Sequence, residues 1–240
     1  VRMSVFCNLT EEDIFRSIAE MKKNIDECHI LMISGGFSAG DEPDGSGKFI
    51  ANVLNNKDIA DAIHALLDRG GLILGICNGF QALVKSGLLP YGRLGMVTKE
   101  SPTLFRNDIN RHISQIVTTR VGTTNSPWLS GFAVGDLHTI AVSHGEGKFV
   151  VNEEFARELF ANGQVAFQYV DPLEEEPTME SPYNPNGSYY AIEGIISKNG
   201  QILGKMGHTE RYEGNLFKNI IDEGLEQPLF DNAVAYFRAE

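Results

Sequence analysis

Between Gly71 and Gln81 the chain reads Gly-Leu-Ile-Leu-Gly-Ile-Cys-Asn-Gly-Phe-Gln, and no other stretch limits the fold so tightly. Leu72, Ile73, Leu74 and Ile76 form a run apolar on both faces of a strand, as in a parallel sheet covered by helices. A helical pattern begins at about Gly79. The intervening Gly75-Ile76-Cys77-Asn78-Gly79 is the thiol form of a nucleophile elbow: its glycines permit a tight turn, and the apical side chain is pushed out at the carboxyl end of the sheet. The helix start behind Cys77 supplies free N–H groups and a positive dipole end, both favouring thiolate over thiol. A lone cysteine in an apolar run is more often a buried structural residue; the flanking glycines turn the reading toward a nucleophile.

The rest of the first ninety residues repeats the same architecture. Val1 to Phe6 is expected as a short strand. Thr10 followed by Glu11, Glu12 and Asp13 predicts a helix start, with Ile14, Ile18, Met21 and Ile25 on its apolar face. His29 to Ile33 reads as a buried strand that runs into Ser34-Gly35-Gly36-Phe37-Ser38-Ala39-Gly40-Asp41. Gly35 and Gly36 let the backbone approach a ligand and aim N–H groups at it. Lys48, in Gly45-Ser46-Gly47-Lys48-Phe49, lacks phosphate-loop spacing, so an oxyanion-type loop fits better than a phosphate site. Lys48 to Asp68 reads as helix, broken near Asn55 to Asp58. Strands alternating with helices predict a parallel sheet with its ligands at the carboxyl strand ends.

Beyond Gly87 the pattern changes. Ile113 to Val121 and Thr139 to Ser143 predict added antiparallel strands, Glu153 to Asn162 a helix and Val165 to Val170 a strand. Asp171 to Pro185 reads as a solvated loop. Tyr189 to Ile196 and Gln201 to Met206 predict a hairpin about Lys198-Asn199-Gly200, and helices are expected near Asn215 to Glu223 and Leu229 to Arg238.

The formal net charge of −12 argues against a nucleic-acid or anionic-membrane partner. No apolar run approaches the ~20 residues that span a bilayer. Three cysteines without CxxC spacing argue against a disulfide framework or a metal site and point to a reducing cytoplasm.

A thiol nucleophile needs a base, and the base a group that fixes its tautomer. Of the six histidines, His144 and His208 each sit at a strand end, two residues before a glutamate. In an extended segment those side chains share a face. His208 with Glu210 is modestly favoured, and the residues alone leave His144 with Glu146 open.

Ser34 to Asp41, Cys77-Asn78-Gly79-Phe80-Gln81, Ser143-His144-Gly145-Glu146-Gly147, Asn184-Pro185-Asn186-Gly187-Ser188 and His208-Thr209-Glu210-Arg211 occur in that order. This set resembles the class I (triad) glutamine amidotransferases, and more narrowly the glutaminase domain of phosphoribosylformylglycinamidine synthases. The resemblance implies a flavodoxin-like α/β fold, a mostly parallel central sheet with helices on both faces and added antiparallel strands. It makes Cys77 the nucleophile, His208 the base and Glu210 its orienting carboxylate. N–H groups at Gly36 and Asn78 become the oxyanion hole; Gly35, Phe37, Gln81, Ser143 and His144 border the glutamine site.

No cofactor or metal is implied for this chain; ATP and magnesium are expected in a partner synthetase domain or subunit, which receives ammonia. Ser34 and Gly207 stand where the family often has proline, and Thr209 replaces another proline. The family's first strand is not recognisable, so residues 1–240 read as one domain lacking that strand, and Val1 to Phe6 as the family's second. The chain is accordingly expected to be the C-terminal part of a large fused synthase. The alternatives are a glutaminase of another biosynthetic pathway, a cysteine hydrolase of related architecture acting on another amide, and a scaffold or regulatory domain.

Overall fold

The computed structural model describes residues 1–36, 47–212, 217, 220 and 226–238. Its first helix is α1 (Glu11–Glu27), where Thr10 accepts the Asp13 N–H as N-cap and three acidic residues occupy the first turn, as the helix dipole favours. Strand β1 (Ile30–Ile33) follows, then α2 (Lys48–Leu54) and α3 (Lys57–Asp68), separated where Asn56 caps α3 by accepting from Asp58. Next come β2 (Leu72–Ile76), α4 (Asn78–Ser86), closed by left-handed Gly87, and the kinked turn α5 (Leu88–Tyr91). Strands β3 (Thr103–Phe105), β4 (Ile113–Val121), β5 (Leu137–His144) and β6 (Lys148–Val150) precede α6 (Glu153–Ala161) and β7 (Val165–Tyr169). The hairpin β8 (Ile192–Ile196) and β9 (Ile202–Lys205), a single helical turn at Thr209–Arg211 and α7 (Leu229–Arg238) complete the description.

One seven-stranded sheet, in the order β1-β2-β9-β8-β7-β4-β5, carries the fold. The pairs β1–β2 and β2–β9 are parallel, and the remaining four pairs are antiparallel. The sheet is therefore mixed, with a larger antiparallel share than expected. Strands β2, β8 and β9 are buried along their whole length, because helices or loops cover both faces of the sheet there. The main core extends from Ile25 to Ala233, and a smaller cluster of Val117, Ile140, Val142, Tyr169 and Ala191 lies toward the β5 edge.

Two features place the site. First, β1, β2 and β9 are parallel neighbours, so their carboxyl ends deliver Gly35-Gly36, Cys77 and His208 to one rim. A Cβ on Gly79 would fall 2.0 Å from the Ile33 carbonyl oxygen, so glycine lets α4 lie against β1 and brings the two loops together. Second, the sheet curls until its β5 edge meets that rim: the His208 N–H donates to the Ala141 carbonyl at 2.8 Å.

Three expectations change. Val1 to Phe6 forms no strand; Val1 to Val5 are exposed, and the nearby Cys7 N–H bonds the Ser17 hydroxyl of α1 instead of a sheet neighbour. The stretch from Asp171 to Pro185 is exposed over Pro172 to Glu176, but it turns inward to bury Asn184 and Pro185. The antiparallel ribbon β3–β6 was not anticipated, since each strand has only three residues. The loop from Phe37 to Ser46 lies outside the described residues, as does the helix expected at Asn215 to Glu223 apart from residues 217 and 220.

Candidate active site

Cys77 occupies a positive-φ backbone conformation, φ 52° and ψ −105°, that non-glycine residues rarely adopt. The turn ends β2 and starts α4, aiming the side chain across the strand ends. Its sulfur donates to the Ser143 carbonyl at 3.6 Å, and the backbone N–H groups of Asn78 and Gly36 both hydrogen-bond it. Burial pushes the thiol pKa up to about 11; those N–H groups and Arg211 pull against it, and Glu210 adds to the rise. The helix start therefore does not by itself make a thiolate. At neutral pH the resting group is a thiol.

His208 is 2% exposed, and its Nδ1 lies 2.6 Å from Glu210 Oε1. Burial would raise the Glu210 carboxyl, but the hydrogen bond and charge of His208, its own backbone N–H and Arg211 hold it below the usual carboxylate range. An ionised Glu210 can only accept, so Nδ1 carries the proton and Nε2 presents its lone pair. Among the described residues that Nε2 is buried with no hydrogen-bond partner. Gly35 separates the two groups: a Cβ added there would lie 2.8 Å from His208 Cε1 and 3.2 Å from Cys77 Cβ. A thiol, an oriented imidazole and two convergent N–H donors are the parts needed for acyl transfer.

The sequence from residue 7 to 237 matches the CobB/CobQ-like glutamine amidotransferase domain. The chain belongs to that family.

Among curated relatives of this glutamine amidotransferase, phosphoribosylformylglycinamidine synthase subunit PurQ of Gloeobacter violaceus is 33% identical over 196 residues, covering 82% of this chain and 76% of the relative. The subunit of the same name from Methanococcus maripaludis is 36% identical over 234 residues, covering 90% and 84%. A solved structure described as PurLQS from Thermotoga maritima matches with a TM-score of 0.63 at 27% identity, covering 88% of this chain and 81% of that one.

The remaining site residues of this amidotransferase divide into two kinds. Ser143 reaches the thiol through its carbonyl, while its hydroxyl pairs with His112 Nε2 at 3.1 Å. Gln81 is buried; its carboxamide accepts from Asn78 Nδ2 and donates to the Glu146 carbonyl, so it braces the loop after β5 against α4. His144 is buried, and burial lowers its pKa to about 3, with smaller contributions from His208 and His112. A neutral imidazole at the site border fits that environment, and a base does not. Phe37 lies outside the described residues. No cluster of three or more metal-binding side chains occurs among the described residues. No described helix is long and apolar enough to cross a membrane.

Asn186 was singled out in the sequence only as part of a motif, and the structure supplies its contacts. Its Nδ2 lies 3.0 Å from His144 Nε2, 2.9 Å from the Gly147 carbonyl and 3.1 Å from Tyr169 Oη, and its Oδ1 accepts from Ser188. Gly147 and the Ser188 N–H fix which way the amide faces, so His144 Nε2 accepts. With Asn107, which bonds the His144 carbonyl and the Gly147 N–H, it immobilises the end of β5, whose Ser143 carbonyl meets Cys77. Asparagines clustered around a glycine turn are the signal that marked this position.

Proposed function

We propose that this chain hydrolyses L-glutamine to glutamate and ammonia, with Cys77 as nucleophile, His208 as base and Glu210 as the carboxylate that orients it. The observation that carries the reading is the meeting of Cys77, an oriented His208 and the Gly36 and Asn78 N–H groups at one rim. Cys77 loses its proton to His208 Nε2 as sulfur attacks the carboxamide carbon. The two N–H groups receive the developing oxyanion, where one such donor contributes roughly 2.7–4 kcal/mol. His208 returns the proton to the departing nitrogen, releasing ammonia and leaving a γ-glutamyl thioester. It then takes a proton from water, which attacks the thioester and frees glutamate and the thiol.

The ammonia goes to an ATP- and magnesium-dependent synthetase that makes formylglycinamidine ribonucleotide in cytoplasmic purine biosynthesis. The names of the PurQ relatives and of the PurLQS structure support this choice of pathway and partner. The relatives are named as subunits, which favours a separate synthetase chain over one fused to this polypeptide. Denaturing electrophoresis of the native enzyme separates the two forms: two polypeptides support a subunit, and a single long one overturns it. For the reaction itself, Cys77→Ala in the complete enzyme should abolish glutamine-dependent synthesis and retain ammonia-dependent synthesis. Continued glutamine use by that variant would overturn the proposal.

A further inference from the structure

Lys205 is fully buried at the carboxyl end of β9, just before His208, and the proposed reaction does not use it. An ammonium has three donors, and this one has three partners: Thr209 Oγ1 at 3.1 Å, Gln227 Oε1 at 2.5 Å and the face of the Phe167 ring, 4.7 Å to its centroid. The Thr209 hydroxyl donates in turn to Gln227 Oε1 at 2.8 Å. Thr209 stands between the histidine and the glutamate, so this closed triangle holds the turn that carries both. It also joins that turn to the segment entering α7.

The same segment is also held by Glu193 of β8, likewise fully buried, whose Oε1 accepts the Gly207 N–H. Among the described residues, Glu193 and Glu210 are the charged groups that face Lys205. Burial lowers the Lys205 pKa, and those two carboxylates oppose the shift. An apolar side chain of similar volume would fill this space without the desolvation penalty of an ammonium. What the ammonium adds is direction: it tells the turn where to sit.

We propose that Lys205 is a positioning residue, acting through Thr209 and Gln227 to fix the turn that carries His208 and Glu210 in the geometry a base requires. The proposal rests on the reading of Cys77, His208 and Glu210 as the glutamine-hydrolysing site.

The test uses the complete enzyme, with glutamine- and ammonia-dependent synthesis measured side by side for Lys205→Met, Thr209→Val and the double variant. A misplacement of about 1 Å costs roughly 10²-fold in rate. Each single variant should therefore lose about tenfold or more in kcat for glutamine, with KM and ammonia-dependent synthesis unchanged. The double variant should be no worse than Lys205→Met, because both break one network. Thr209→Ser should restore the rate. Removing the ammonium also withdraws a positive charge facing Glu210, so the acid limb of the Lys205→Met profile should move to higher pH.

Thr209→Val, which keeps the side-chain shape, decides the matter if Lys205→Met fails to fold. Wild-type kcat in a folded Thr209→Val enzyme, or an unmoved acid limb in a folded Lys205→Met enzyme, overturns the inference. A wild-type enzyme that uses ammonia but not glutamine overturns the underlying reading, and the inference with it.

Discussion

His208 and Glu210 lie on the same side of one short turn, Nδ1 to Oε1 at 2.6 Å, so the carboxylate selects the tautomer that leaves Nε2 free to accept a proton. Glu210→Gln retains the shape but no longer obliges Nδ1 to donate. Its kcat for glutamine should fall by about 10⁴-fold, the scale seen when an orienting carboxylate is neutralised in a triad. Steady-state glutamate release checks this. A loss below tenfold would show that Glu210 does not set the tautomer.

The buried thiol gives a second prediction. With a pKa of about 11, Cys77 is almost wholly protonated at neutral pH, and its alkylation by iodoacetamide should rise about tenfold per pH unit up to that value. Mass spectrometry can follow Cys77 apart from Cys7 and Cys28. A plateau beginning near pH 7 would contradict the burial argument.

Gly35 leaves no room for a methyl group between Cys77 and His208. Gly35→Ala should therefore lose at least 10²-fold in glutamine turnover while retaining the melting temperature, because the clash falls on the reacting pair rather than the core. Thermal denaturation beside an activity assay separates the two effects. Equal loss of both would mean that the loop, not the pair, gives way.

Asn186→Ala strips the amide from His144 Nε2 and the Tyr169 hydroxyl, while the Ser188 N–H keeps Asn184 Oδ1 and the Gly147 carbonyl keeps the Ser188 hydroxyl. Each unsatisfied buried group costs about 1–3 kcal/mol, so a stability loss of roughly 2 kcal/mol or more is expected, read from urea denaturation. A change below 1 kcal/mol would show that water or rearrangement replaces the amide.

His144 also links stability to pH. Its folded pKa of about 3 lies below the ordinary imidazole value of about 6.5. Between these values the unfolded chain binds a proton that the folded chain refuses. Folding stability should be undiminished above pH 6.5 and decline progressively on acidification toward pH 3. Between pH 6.5 and 5, where the lowered carboxyl of Glu210 contributes little, His144→Asn should flatten the slope by up to one proton. An identical slope would place the titration elsewhere.

The parts of the fold that could be read from sequence are those with local causes. Thr10 and three acidic residues specify the start of α1, and the glycines around Cys77 specify a strand, a turn and a helix. The antiparallel pair β4–β5 and the hairpin β8–β9 could also be read, but not that antiparallel pairs outnumber parallel ones, because strand direction depends on partners distant in the chain. Val1 to Phe6 is apolar enough for a strand and has no sheet neighbour. Ribbon β3–β6 exists through pairing alone, its outer residues Thr103 and Phe105 being exposed. In the site, Cys77, His208 and Glu210 announce themselves through chemistry and spacing. The support given by Gln81, Asn186 and Lys205 depends on the curl of the sheet. Lys205 carried one legible warning, a charge within the apolar run Ile202 to Met206.

That curl also sets when the site comes into being. The Cys77 thiol and the Ser143 carbonyl that receives it are 66 residues apart, and the base is encoded farther on still. On the proposed reading of Cys77 and His208, the site exists only once β5 and β9 have both joined the sheet, so ammonia release awaits completion of the sheet.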